Sequence, residues 1–101
     1  MASARGWYVY LARCADDTLY CGIARDVAAR IASHDAGRGA RYTRGRGPLV
    51  VVLTRRCRTK GLALRIEHEI KRLPRTEKER LVGSPHHLTS IVQRLARAAN
   101  G

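Results

Sequence analysis

Short apolar blocks with a two-residue period open the chain, and longer blocks with a helical period close it. Trp7 to Arg13 is rich in β-formers and sets Tyr8 and Tyr10 on one face. Thr18 to Gly22 is a second short β segment, with Asp16-Asp17 as the turn between the two. Together they predict a hairpin whose second strand ends at Gly22. Asp26 is a good N-cap, and Val27 to Ala36 reads as a helix closed by Gly37. Residues 37–48, GRGARYTRGRGP, are rich in glycine and arginine and read as a loop. Pro48 argues against a central strand at that point. Leu49 to Leu53 is an unbroken run, Leu-Val-Val-Val-Leu, which predicts a strand buried on both faces. Thr59 can cap a second helix reaching Leu73, with Leu62, Ala63, Ile66, Ile70 and Leu73 as its apolar stripe. Pro74 opens a third, charged helix through Val82. Gly83 to His87 reads as a connector, and Leu88, Ile91, Val92 and Leu95 predict a last helix. The order β-β-α-β-α-α is that of an α+β domain, an antiparallel hairpin and a third strand packed against helices.

The 101 residues suit one domain around one core, and no repeat or long linker divides them. The longest apolar run, Leu49 to Leu53, is far too short for a membrane span. Met1 to Gly6 has no apolar stretch of the secretory kind. Cys14, Cys21 and Cys57 are odd in number and not closely paired. The expectation is three reduced thiols in a cytoplasmic protein, with neither a disulfide framework nor a zinc site. Charge adds the sharper constraint. Twenty Lys+Arg oppose eight Asp+Glu, a formal net charge of +12, and arginine outnumbers lysine. Such a surface favours polyanions, and the planar fork of arginine suits phosphate. A lipid surface would want a basic amphipathic helix with bulky apolar anchors, which only the C-terminal segment approaches. A GC-rich genome also enriches arginine, so composition alone does not assign nucleic acid.

Spaced residues narrow the choice. Tyr8-Val9-Tyr10 stands in the first strand, and Tyr20-Cys21-Gly22 ends the second. Arg30 follows Gly22 by eight residues and His34 follows Arg30 by four. Downstream lies Ala63-Leu-Arg-Ile-Glu67-His-Glu-Ile70-Lys71, and Gly37 to Gly45 reads G-x-G-A-x-Y-T-R-G. In this order the set resembles the GIY-YIG nuclease superfamily, above all its small bacterial single-domain members, over Trp7 to Val82. Tyr8 takes the place of the first motif's glycine, and Cys21 stands where the family has Ile, Val or Thr. Neither change removes a catalytic group. No added DNA-targeting domain is evident, which leaves the substrate open.

The resemblance implies a small three-stranded antiparallel sheet flanked by helices, and metal-dependent hydrolysis of DNA phosphodiesters. It implies Glu67 as the ligand of a single Mg²⁺ or Mn²⁺ ion on the scissile phosphate. Tyr10 or Tyr20 would be the general base near the attacking water. Arg30 would stabilise charge on the phosphoryl oxygens, and His34 would hydrogen-bond to tyrosine, water or phosphate.

The residues can be weighed without it. Two-metal nucleases need several carboxylates converging on ions about 4 Å apart. Here Asp16 and Asp17 sit at a turn, Asp26 at a cap, Asp35 at a helix end, and Glu77 and Glu79 on a charged surface helix. Any cutting should therefore use about one carboxylate, one ion and basic help. Read alone, Glu67 and Lys71 are an i,i+4 surface ion pair. Beside Ile66 and Ile70, however, Glu67 sits at the edge of the buried stripe, where a shielded ligand belongs. Arg30 and His34 share a helical face, and alone they read as a surface arginine and a helix-end histidine. The tyrosines alone fit cross-strand packing. A tyrosine base must overcome a reference pKa of about 10, which nearby cations lower. Gly22 either permits close approach of backbone or phosphate, or is a plain turn glycine. Arg38, Arg41, Arg44 and Arg46 around Tyr42 suit a nucleic-acid backbone and one stacked base, or form a solvated loop. Arg25 and Lys71 are further candidate phosphate contacts. His86-His87 lacks a nearby third ligand, and His68 and Glu69 read as surface residues.

The expectation is a cytoplasmic, one-metal DNA endonuclease with structure- or strand-selective cutting in repair or recombination. RNA and a targeting protein are the other partners left open. The alternative is a non-catalytic DNA- or RNA-binding module on the same fold. Residues 1–6 would be a tail, 7–82 the nuclease-like domain and 83–101 a helical extension.

Overall fold

The computed structural model describes residues 6–37 and 47–100. Arg38, Arg41, Tyr42, Arg44 and Arg46 therefore lie outside the described residues. The elements are β1 (Trp7–Arg13), β2 (Leu19–Ala24), α1 (Val27–Asp35), β3 (Val50–Cys57), α2 (Lys60–Arg72), α3 (Arg75–Gly83) and α4 (Pro85–Asn100). The sheet has three antiparallel strands in the order β2-β1-β3. β1 is the middle strand because it is the most apolar, with Val9, Tyr10, Leu11 and Ala12 all buried.

Local chemistry sets the turns and helix starts. In the β1–β2 turn, Cys14 and Thr18 close the loop by a 2.8 Å backbone hydrogen bond, and the Asp16 side chain accepts from Thr18. Asp17 takes a left-handed φ of 70°, a conformation Asp tolerates better than most residues. Asp26 caps α1 by accepting from the Ala29 N–H at 3.0 Å, and Thr59 caps α2 by accepting from the Leu62 N–H at 3.1 Å.

Alternation along β1 divides the core into two layers. Val9 and Leu11 face α2, α3 and α4 and pack with Cys21, Cys57, Ala63, Ile66, Ile70, Leu81 and Leu88. Tyr10 and Ala12 face the other way, and pack with Cys14, Ala24, Leu49 and the α1 residues Val27 and Ile31. Helices thus flank both faces of the sheet. Leu88 places α4 within the first layer, and His86 and His87 belong to its first turn rather than to a connector.

Two sequence expectations are corrected. The Leu49–Leu53 run does not form a strand buried on both faces. β3 is an edge strand, and Val50 is 60% exposed. The run is apolar because of a bulge: Leu53 pairs with Leu11 but Val51 pairs with Ala12, so Val52 is the extra residue. The slip sends Val51 into the tyrosine layer and Val52 and Leu53 into the other layer. β2, secondly, does not end at Gly22 but continues to Ala24.

Candidate active site

The tyrosine layer holds the site. Tyr10 sits in the middle strand at 1% exposure, with Gly22 directly opposite it on β2. A Cβ built on Gly22 would lie 2.7 Å from the Tyr10 hydroxyl oxygen and 2.8 Å from Cζ. Gly22 is thus neither a turn glycine nor a gap for phosphate: it is the floor on which the Tyr10 ring lies. The ring directs its hydroxyl to His34 Nε2, 3.3 Å away, near the end of α1. Tyr20, opposite Ala12 on β2, meets both rings. Its centroid is 6.2 Å from Tyr10, and it meets His34 edge-on at 5.2 Å.

Arg30, one turn before His34 on α1, brings its cation to bear on the Tyr10 phenol. Burial and the neighbouring Tyr20 push the Tyr10 phenol up to about 12, and Arg30 offsets only part of this. Burial and Arg30 together hold the His34 imidazole below its ordinary value of 6.5, against a smaller opposite pull from Asp35. At neutral pH the site therefore presents a neutral phenol and a neutral imidazole in a fixed hydrogen bond.

Glu67 comes from the other layer. α2 packs on the Val9–Leu11 face, and Glu67 lies at its edge with a side chain 17% exposed. Its carboxylate oxygen is 3.3 Å from Lys71 Nζ, the expected i,i+4 pair. Glu67 also acts on Cys21, whose thiol is pushed up to about 12, chiefly by burial and next by that carboxylate. Cys21 and Tyr20 are neighbours on β2, so the two layers meet at this strand. An open cleft of about 260 Å³ lies there, lined by Leu19, Tyr20, Cys21, Lys71 and Lys78.

The structure therefore gathers Tyr10, Tyr20 and His34 in direct contact, sets Arg30 one turn before His34 on the same helix, and sets Glu67 beside the cleft through Lys71. Arg25 lies away from this cluster, past the end of β2. Lys78 escaped the sequence reading. Pro74 starts a new helix, and no periodicity across that break relates Lys78 to Lys71. Glu79 is likewise more than part of a charged surface. It takes both Arg13 guanidinium nitrogens, at 2.9 and 2.8 Å, and so ties the end of β1 to α3. This clamp holds the helix that carries Lys78. It pushes the Arg13 pKa up and holds the Glu79 carboxyl below the usual range.

The donor set bears on a metal. Among the described residues no three of His, Cys, Asp or Glu gather into a cage. A lone, partly shielded carboxylate beside a basic cleft still fits Mg²⁺ or Mn²⁺. Such ions keep several waters and share substrate phosphate, binding one or two carboxylates.

The GIY-YIG catalytic domain family matches residues 6–80. The chain belongs to the GIY-YIG nuclease family. A UPF0213 protein of Natronomonas pharaonis is 56% identical over 75 residues, covering 74% of this chain and 88% of its own. UPF0213 protein YhbQ of Salmonella arizonae is 44% identical over 89 residues, covering 88% and 89%. Two solution structures share the fold. UPF0213 protein BH0048 of Bacillus halodurans has a TM-score of 0.52 at 45% identity, over 83% of this chain and 93% of that one. Protein EF2693 of E. faecalis has a TM-score of 0.60 at 30% identity, over 85% and 92%. Among the described residues no helix is long and apolar enough to cross a membrane.

Proposed function

We propose that this GIY-YIG protein is a one-metal DNA endonuclease with structure- or strand-selective cutting, acting in repair or recombination. One observation carries the reading: Tyr20 belongs at once to the buried Tyr10–His34 cluster and to the basic cleft. A DNA phosphate in that cleft meets Lys71 and Lys78, which hold its non-bridging oxygens. Tyr20 is partly exposed and, as its phenolate, would take the proton of the attacking water. As that water's oxygen bonds to phosphorus, the bond to the leaving sugar oxygen breaks, and that oxygen takes a proton from solvent. Tyr10 is not placed as the base, since it is buried and its phenol stays protonated to about 12. Tyr10 instead positions: its hydroxyl meets His34 Nε2 and its ring packs beside Tyr20. Arg30 is exposed and offers its donors to the phosphoryl oxygens as charge builds on them. Glu67 would hold Mg²⁺ or Mn²⁺, which when bound polarises the phosphoryl oxygen as a Lewis acid. Lys71 neutralises Glu67 until then.

The test is a gel cleavage assay of wild type and Glu67→Ala on single-stranded, duplex, nicked and branched DNA, with Mg²⁺, Mn²⁺ or EDTA. Metal-dependent cutting that disappears in Glu67→Ala, with DNA binding retained, is the expected result. Cutting that survives the substitution would refute the ligand assignment. Binding without cutting on every substrate would support the non-catalytic DNA- or RNA-binding module instead.

A further inference from the structure

A second group of cations stands at the far end of the α2–β2 seam. Trp7, at the start of β1, has Arg25 Cζ 5.2 Å and Lys60 Nζ 5.0 Å from its ring centroid. Arg25 directly follows β2, and Lys60 opens α2. Three separate segments thus bring two cations to one indole. The two charges stand within about one Debye length of each other, about 10 Å at 0.1 M salt. Both residues are exposed, and among the described residues neither has an acidic partner. Like charges held this close repel, and the ring's negative face offsets that only in part. An anion drawn to the pair relieves the repulsion, and the indole keeps two long side chains in place to receive it.

Two independent rulers give the distance to the cleft. Arg25 is five residues from Tyr20 along an extended strand, about 16 Å at 3.3 Å per residue. Lys60 is eleven residues from Lys71 along a helix, about 16 Å at 1.5 Å per residue. The agreement means that α2 runs antiparallel to β2 with a basic site at each end of the seam.

We propose that Trp7, Arg25 and Lys60 form a second phosphate-binding site for the same DNA strand that enters the cleft. This rests on the nucleic-acid reading above. At the 3.4 Å axial rise of a duplex strand, the separation corresponds to about five nucleotides, and a more extended single strand covers it with fewer. The site therefore sets the length of strand that the protein grips. A strand that reaches from cleft to indole gains two phosphate contacts, and a shorter one gains none.

Trp7 is the chain's single tryptophan, so its emission reports the site directly. The experiment uses the full chain in EDTA, where no cutting occurs. Its probes are single-stranded DNA of about twelve nucleotides, long enough for both ends of the seam, and a dinucleotide, whose one linking phosphate cannot occupy both ends at once. The longer strand should change Trp7 emission at saturation, and the shorter should not. In Arg25→Ala/Lys60→Ala the emission change should be lost. The slope of log K against log salt for the longer strand should fall by about 0.7 for each phosphate the pair neutralises, so by about 0.7 to 1.4. The shorter strand's slope should not move. A charge-matched control, Arg94→Ala/Arg97→Ala on α4, should leave the longer strand's slope near that of wild type. Unchanged emission despite binding of the longer strand would overturn the proposal. So would an equal loss of slope in the control, which would mark a diffuse field rather than a site. If wild type binds neither strand, the nucleic-acid reading itself fails, and this inference falls with it.

Discussion

Substituting Gly22 by alanine sets two effects of opposite sign against each other. In the interior of a strand, alanine is ordinarily better than glycine by about 0.5–1 kcal/mol, because it has less backbone freedom to lose on folding. At this position the new methyl would stand 2.7, 2.8 and 3.1 Å from the Tyr10 hydroxyl oxygen, Cζ and Cε1. Tyr10 cannot swing aside, since it is 1% exposed and its hydroxyl is held by His34. Overpacking of this kind costs about 1–3 kcal/mol, so the steric term should win with a net loss of about 1–2 kcal/mol. For a domain near this size that is a Tm decrease of roughly 4–16 °C, at about 4–8 °C per kcal/mol. Thermal and urea unfolding of wild type and Gly22→Ala measure it. Tyr10→Phe removes the 2.7 Å contact but leaves the one at 2.8 Å, so the penalty should shrink in the double variant without vanishing. The His34 side-chain resonances should also shift in Gly22→Ala, because the hydroxyl they face is displaced. A Tm equal to or above that of wild type would refute the claim that Gly22 is the floor of the tyrosine site.

Other consequences can be measured alongside. Of the four tyrosines, Tyr10 should ionise only near pH 12, so Tyr10→Phe should remove that late step from an ultraviolet titration. The raised value also means that stability present below pH 10 declines as pH rises toward 12, and the variant should lose this alkaline leg. Arg30→Ala should raise the His34 pKa toward 6.5, read by proton NMR, since the Arg30 cation is one of the two causes that depress it. His34 itself stabilises the fold fully above pH 6.5, and that contribution is lost as pH falls through its lower folded value. Glu79→Gln should remove a stability contribution that is present above pH 4.5 and lost as pH falls through the depressed carboxyl value. A series of urea midpoints against pH would show that leg missing. Arg41→Ala, Arg44→Ala and Arg46→Ala together should lower the salt slope of duplex binding by up to about 2.7, at about 0.9 per phosphate contact.

What could be read from the sequence was what local chemistry decides. Asp26 and Thr59 cap helices by bonds to residues only three positions away, so their roles follow from the letters. The β1–β2 hairpin and the stripe on α2 follow from periods of two and of 3.6. Arg30 and His34 were recognisable as a pair because a helix places positions i and i+4 on one face. Features that depend on pairing between distant segments were not legible. Nothing in Val50 to Leu53 states that the register slips at Val52, so the letters alone predict a strand buried on both faces. Gly22 looked like a terminator because its partner, the Tyr10 ring, lies twelve residues away on another strand. Lys78 and the Arg13–Glu79 clamp depend on the angle at which α3 leaves α2, and Pro74 only marks where that turn begins.

The bulge at Val52 also bears on how copies of this chain avoid one another. β3 leaves one edge of the sheet open, and its first half is a hydrophobic stretch of the kind that stacks into fibrils. A straight Val-Val-Val-Leu edge would offer a regular ladder of amides to any neighbouring molecule. The slip of one residue bends that ladder and puts alternate side chains out of phase. A second strand could match it for only a few residues before its pattern failed. Arg55 and Arg56 follow at once, with a like charge on every copy to resist in-register stacking. The irregularity that made this strand hard to place from the sequence is thus a safeguard against self-assembly, carried by the backbone rather than by a polar substitution in the core.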